Sequence, residues 1–241
     1  MKKQIMTALL MCATAVAMAQ SDWGAWTEVS AEYEITKKWD VAVEGELRTR
    51  DFLKSIDRYS IGATTSFSPT KIFNVGVGYD FIDSYRDSYE TSGGNIVDDY
   101  WRIKNRLYLQ TKFKFKPSIF NVGVRLRYQY TNESRVSIPK YSPSGKRKEN
   151  KVKEAEDENV FRSKLSVSVK ATKLLRPFVS YELSNDLDDS FGLKRQRIEA
   201  GTAFRINKKN SINLSYKRNI YKGDDEGKTK NVIGISYEIT L

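Results

Sequence analysis

Apolar and polar residues alternate along eleven segments of this chain, each roughly ten residues long. In the first, 23–35, Trp23, Ala25, Val29, Ala31, Tyr33 and Ile35 share one face, and Glu28, Ser30, Glu32 and Glu34 share the other. The second, 39–50, sets Trp39, Val41, Val43 and Leu47 against Asp40, Glu44, Glu46, Arg48 and Arg50. The clearest, 100–113, alternates Trp101, Ile103, Leu107, Leu109 and Phe113 with Arg102, Lys104, Arg106, Tyr108, Gln110 and Lys112. The same period of two runs through 58–67, 72–85, 120–130, 161–171, 177–184, 195–206, 211–221 and 231–241. Such a strand has one face in an apolar medium and one in a polar medium.

The connections alternate as well. Short turns such as 36–38, 68–71 and 207–210 fall on one side. Longer connections fall on the other, the longest being 132–159, which is rich in Lys, Glu, Ser and Pro and is expected to be mobile. Aromatic residues gather near strand ends, where amphipathic rings suit a membrane interface. Together these features predict an all-β fold: an antiparallel transmembrane β-barrel of 10–12 strands with short periplasmic turns and longer extracellular loops. Bacterial single-chain barrels usually have an even count. Either one strand is hidden, giving twelve, or the first segment is not part of the wall, giving ten. Twelve is the preferred count. A soluble sandwich also alternates, but it has no need of so regular an asymmetry of turns.

Residues 1–19 read as a cleaved secretory signal, with Lys2 and Lys3 ahead of an apolar stretch and Ala17-Met18-Ala19 ahead of the expected cleavage before Gln20. Lipid attachment at Cys12 is disfavoured by the bulky Met11 before it. Residues 20–241 then form a single barrel domain in the outer membrane of a Gram-negative cell. Mean hydropathy is only −0.57, which a barrel tolerates because half of each strand is polar.

The chain has no His, and its one cysteine is Cys12. Ser-His hydrolytic devices and thiol chemistry are therefore excluded, and no strand spacing singles out a carboxylate pair. The expectation is no enzyme, no catalytic residue, no cofactor and no metal. Asp186, Asp188 and Asp189, and separately Asp224, Asp225 and Glu226, read as solvated loop charge rather than as a calcium site. The formal net charge of +11 would permit a nucleic-acid partner in a chain that stayed inside the cell, but export argues against one. Outer-membrane lipid and surface glycolipid are the expected surroundings, with periplasmic chaperones and the barrel-assembly machinery as partners in biogenesis.

The polar faces supply the candidate lumen. Glu28, Glu32, Glu34, Glu44 and Glu46 make one wall acidic. Arg102, Lys104, Arg106, Arg125, Arg127, Arg162, Lys164, Arg195, Arg197 and Arg205 make the other basic. Two functions follow. Charges paired between opposite walls would fill the lumen, leaving a structural or loop-mediated interaction barrel, which is the leading reading. An unfilled lumen lined by Arg and Lys would be a small pore for ions or small anionic solutes.

The last strand, Gly234-Ile235-Ser236-Tyr237-Glu238-Ile239-Thr240-Leu241, resembles the C-terminal signal read by the barrel-assembly machinery, with Leu241 in place of the usual Phe. The chain from Asp22 onward resembles the domain of unknown function 2490 family of outer-membrane barrels. The resemblance lies in Asp22-Trp23-Gly24-Ala25-Trp26, Glu44-Gly45-Glu46-Leu47-Arg48, Arg106-Leu107-Tyr108-Leu109 and Arg125-Leu126-Arg127-Tyr128. It implies location and fold, and no activity.

Overall fold

The computed structural model describes residues 23–51, 53–222 and 229–241. The expected signal segment, Asp22 and the acidic group Asp224, Asp225 and Glu226 lie outside the described residues. Eleven strands form the barrel wall: β1 (Trp23–Glu34), β2 (Trp39–Arg50), β3 (Ser55–Phe67), β4 (Phe73–Arg86), β7 (Tyr100–Phe115), β8 (Phe120–Glu133), β11 (Glu156–Val169), β12 (Leu175–Asp186), β13 (Leu193–Arg205), β14 (Asn210–Tyr221) and β15 (Thr229–Thr240). Each coincides with one of the alternating segments. Neighbours pair antiparallel around the ring, and β1 pairs with β15 to close it.

Closure corrects the preferred count of twelve. An odd number of up-and-down strands makes the first and last run the same way, so their pairing must be parallel. Ten Cα partners join them in that sense, from Trp23↔Asn231 to Glu32↔Thr240. Parallel bonds are slightly less favourable per residue, but they leave no open edge. No twelfth strand is needed, because the seam satisfies the backbone groups that an edge would expose.

Local chemistry fixes the turn end. Thr36 Oγ1 accepts from the amides of Lys38 and Trp39 at 3.2 and 3.1 Å. Thr70 does the same for Ile72 and Phe73, and Thr172 for Leu174 and Leu175. Asn207 Oδ1 accepts from Lys209 and Asn210, both at 2.8 Å. Four of the five tight turns are thus clamped by a Thr or Asn side chain that imitates a backbone acceptor. The fifth turns at Pro117-Ser118, with Ser118 at φ 56°.

The loop end departs from expectation in two places. The connection after β2 is no longer than a tight turn, because β3 begins at Ser55. The long 132–159 connection is built rather than loose. It forms the hairpin β9 (Val136–Tyr141) and β10 (Arg147–Lys153), which joins β5 (Tyr89–Glu90) and β6 (Ile96–Val97) in a four-stranded sheet ordered β10-β9-β6-β5. Val97 and Ile138 in this sheet are fully buried, so one of its faces is covered by the rest of the chain. Pairing across two separate loops supplies the order that the composition of 132–159 alone does not suggest.

The outer surface of the barrel is apolar. Val29, Val43, Ile61, Val77, Leu107, Leu109, Leu165, Val179, Ile198, Leu214, Ile233 and Ile235 are all exposed. In water this would be a severe liability, whereas in hydrocarbon it is the favoured face. Its loop-side limit is drawn by tyrosines whose hydroxyls donate to polar neighbours: Tyr59 to Asp83, Tyr79 to Asn105, Tyr128 to Asn159, Tyr130 to Asp157 and Tyr181 to Gln196. Its turn-side limit carries the ring pairs Trp39–Phe67 and Phe73–Phe113, with centroids 4.8 and 5.1 Å apart.

The seam can be tested chemically. Ala25 and Ile233 are direct partners across it and both point outward. Their spacing in a parallel ladder suits a disulfide. The double variant Ala25→Cys, Ile233→Cys, oxidised after refolding, is expected to form an intrachain cross-link that shifts its mobility on a denaturing gel until reduced. A folded double variant that never cross-links would mean the ring closes elsewhere.

Candidate functional site: the charged lumen

Register sets every inward residue, because side chains alternate strictly across a strand. The row Glu28, Glu32, Glu34, with Glu44 and Glu46 on β2, faces inward. So do Arg102, Lys104 and Arg106 on β7, Arg125 and Arg127 on β8, Arg162 and Lys164 on β11, and Arg195, Arg197 and Arg205 on β13. Glu34 and Arg205 lie at the exposed turn-side rim.

Two of these basic residues sit at the outer end and serve the loops. Arg102 is 4% exposed and donates from Nε to the Ser134 carbonyl at 3.0 Å and from Nη2 to the Glu154 carbonyl at 2.7 Å. It also pairs with Glu133 and Glu156 at 3.1 and 3.4 Å. The guanidinium fork therefore ties both ends of the β9–β10 hairpin to the wall. Lys104 pairs with the same Glu133.

Deeper in, one carboxylate gathers four guanidinium groups. Glu182 on β12 is 3% exposed at its side chain and lies 2.6 Å from Arg125 Nη2, 2.6 Å from Arg162 Nη2, 3.4 Å from Arg195 Nη2 and 3.8 Å from Arg197 Nη1. On the other side of the ring, Glu46 takes both Nε and Nη2 of Arg48 at 2.8 and 3.0 Å, and Arg58 Nη2 at 3.4 Å. Asp80 lies 3.7 Å from Arg106 Nη1. Below them Glu199 holds Lys164 at 3.0 Å and Lys217 at 3.5 Å. Glu46 and Arg48 pair within β2, and each of the other pairs joins neighbouring strands or strands next but one in the ring. Among the described residues no ion pair crosses from wall to wall.

Trp26 is the unexpected member. Glu28, Ser30 and Glu32 fix its register, so it too points inward, and it is 8% exposed. Arg48, Arg197 and Lys217 stand over its ring at 3.7, 4.7 and 5.1 Å. A ring quadrupole here stabilises three cations that have few carboxylates to share. The candidate lumen set read from the sequence omits Trp26, Arg48, Arg58, Asp80, Glu182, Glu199 and Lys217. The same alternation that marks the candidate lumen residues assigns these to the polar face.

The lumen is divided into chambers. The loop-side cavity, about 470 Å³, is lined by Glu158, Arg195, Lys194 and Tyr221 among others. The central cavity, about 430 Å³, is lined by Trp26, Glu28, Glu44, Arg125, Arg127 and Glu199 among others. Arg48, Arg58, Arg106, Arg162 and Arg197 line both and form the partition. A turn-side cavity of about 230 Å³ has Glu32, Glu34 and Asp40 opposite Lys112 and Lys114. Tyr108 narrows the central section. It packs over Gly78, where a Cβ would lie 2.3 Å from its ring, and Arg127 stacks on it at 3.9 Å.

Two variants probe these contacts. Removing Glu182 leaves four half-buried guanidinium groups facing one another, so Glu182→Ala is expected to lower stability by about 3 kcal/mol, read as the midpoint of heat or denaturant unfolding. Loss of Arg102 unties the hairpin without touching the partition. Arg102→Ala should open 134–155 to limited proteolysis while the barrel stays folded. A hairpin that stays resistant would show that Arg102 does not anchor it.

Comparison with known proteins agrees with this architecture. No curated protein matches the chain. The β domain of the Bordetella autotransporter BrkA is similar in fold, with 13% identity and a TM-score of 0.53 over 83% of this chain and 79% of that one. The translocator domain of the autotransporter NalP from Neisseria meningitidis is similar at 11% identity, with a TM-score of 0.54 over 78% and 70%. The NanC porin covers 88% of this chain and 95% of its own at 11% identity, with a TM-score of 0.48. At such identities the likeness concerns the fold, that of outer-membrane β-barrels. The model of the protein family of unknown function DUF2490 matches residues 23–230, and the chain belongs to that family.

Proposed function

We propose that this protein is a narrow, anion-preferring pore of the outer membrane, delivered there by a cleaved signal peptide and performing no enzymatic reaction. The observation that carries this reading is the direction of the ion pairs. A lumen closed by its own charges needs acids and bases joined across it. Here the carboxylates of β1 and β2 in the lower lumen stay apart from Lys112, Lys114, Arg125 and Arg127 on the far wall, and pairing runs along the wall instead. Chambers remain between the walls. At the partition guanidinium groups outnumber carboxylates, and rings of fixed positive charge favour anions.

A second reading has its own support. The β5-β6-β9-β10 sheet is tied to the wall by Arg102, as expected of a barrel that presents an ordered surface to a partner outside the cell. Surface glycolipid around the tyrosine belt, and the assembly machinery during insertion, belong to both readings.

Single-channel recording in a planar bilayer under a salt gradient separates them. The pore reading expects steady conductance with a reversal potential on the anion side, moved toward neutrality by Arg106→Ala and by Arg125→Ala. Silence from a folded, inserted protein would sink the pore and leave the presenting barrel. Unchanged selectivity in both variants would remove these residues from the conducting path.

A further inference from the structure

Among the described residues, the partition between the loop-side and central cavities holds more guanidinium groups than the carboxylates paired with them, and no carboxylate lines both cavities. Seven guanidinium groups stand around Glu46, Asp80 and Glu182. Several of their donors are idle as well. The Nε groups of Arg58, Arg125, Arg162 and Arg195 are buried and find no acceptor within the described residues. Arg58 has a single carboxylate contact, at 3.4 Å, and Arg106 has one at 3.7 Å. A guanidinium carries five N–H donors in a planar fork that matches carboxylate and phosphate oxygens. Like charges held this close in a site of reduced dielectric repel one another unless counter-charge enters.

We propose that this partition is a saturable binding site for a compact oxyanion carrying two or more negative charges, such as a dicarboxylate or a phosphate ester. The inference rests on the pore reading for access and goes beyond it in naming a substrate class and a resting place. Arg58, Arg106 and Arg162 come from different parts of the ring, on β3, β7 and β11, and reach both cavities. An anion at their meeting point is held from several sides. Chloride can offer only one centre of charge to such a set, whereas a multivalent oxyanion can take several charge-assisted hydrogen bonds at once. The cations clustered over Trp26 form the floor of the same space. Opposing acids lie farther down, at Glu28 and Glu44, where they keep a bound anion from sliding through unopposed.

The probe is inorganic pyrophosphate, titrated by calorimetry into the refolded full-length protein in detergent, with sodium chloride at matched ionic strength as the comparison. Saturable binding at one site per barrel is expected for pyrophosphate and none for chloride. The double variant Arg58→Gln, Arg106→Gln should bind about tenfold more weakly or worse. Its folding is checked by heat-dependent gel mobility, and if it fails to fold, Arg58→Gln alone replaces it, with weakened binding again expected. Absence of a saturable signal, or equal binding by chloride, overturns the proposal, as does undiminished binding in the folded variant. Conductance on the same preparation keeps the two readings apart. A pore that conducts but does not bind pyrophosphate loses the site and keeps the pore, whereas binding without conductance keeps the site and loses the pore.

Discussion

In a closed sheet a side chain has two directions to point, and here those directions lead to different media. That constraint governs everything else in the molecule. Backbone amides are satisfied around the full ring, including the parallel seam, so the strands have no edge to protect. Side chains alone must reconcile each strand with hydrocarbon outside and charge inside. A slip of one residue would bring Arg106 to the outer surface and Leu107 to the lumen, which is why the register is so firmly specified.

This constraint also explains which parts were legible in the sequence. All eleven wall strands are visible because the alternation is forced at every position by contact with two media. The polar-face residues follow from the same parity. Trp26 obeys it but goes unnoticed, since its side chain carries no charge to mark it as lumen-facing. Glu182 is invisible for another reason. Its partners Arg125, Arg162, Arg195 and Arg197 lie on three different strands, and only the stagger between those strands brings them to one carboxylate. Stagger is a property of the assembled ring.

The β9–β10 hairpin shows the opposite failure. Arg147 to Lys153 reads Arg-Lys-Glu-Asn-Lys-Val-Lys, which has neither the apolar content nor the β-branched density of a strand. Its order derives from pairing with β9, from β6 pairing with β9 in turn, and from the Arg102 fork beneath. Eleven strands lie within the expected range, and only the preference for an even count fails, at the closure of the ring. Counting rules drawn from barrels closed by antiparallel pairs do not anticipate a first and last strand that run together.

The lower lumen has a property that net charge does not describe. Glu32, Glu34 and Asp40 line one side of the turn-side chamber, and Lys112 and Lys114 line the other. Two opposed sheets of fixed charge make a field that points across the channel rather than along it. A molecule with separated positive and negative ends entering this section feels a torque, and settles with its dipole across the axis. In the proposed pore, passage there would become a matter of orientation, so that two solutes of equal size and equal charge would be sorted by where on the molecule the charge resides.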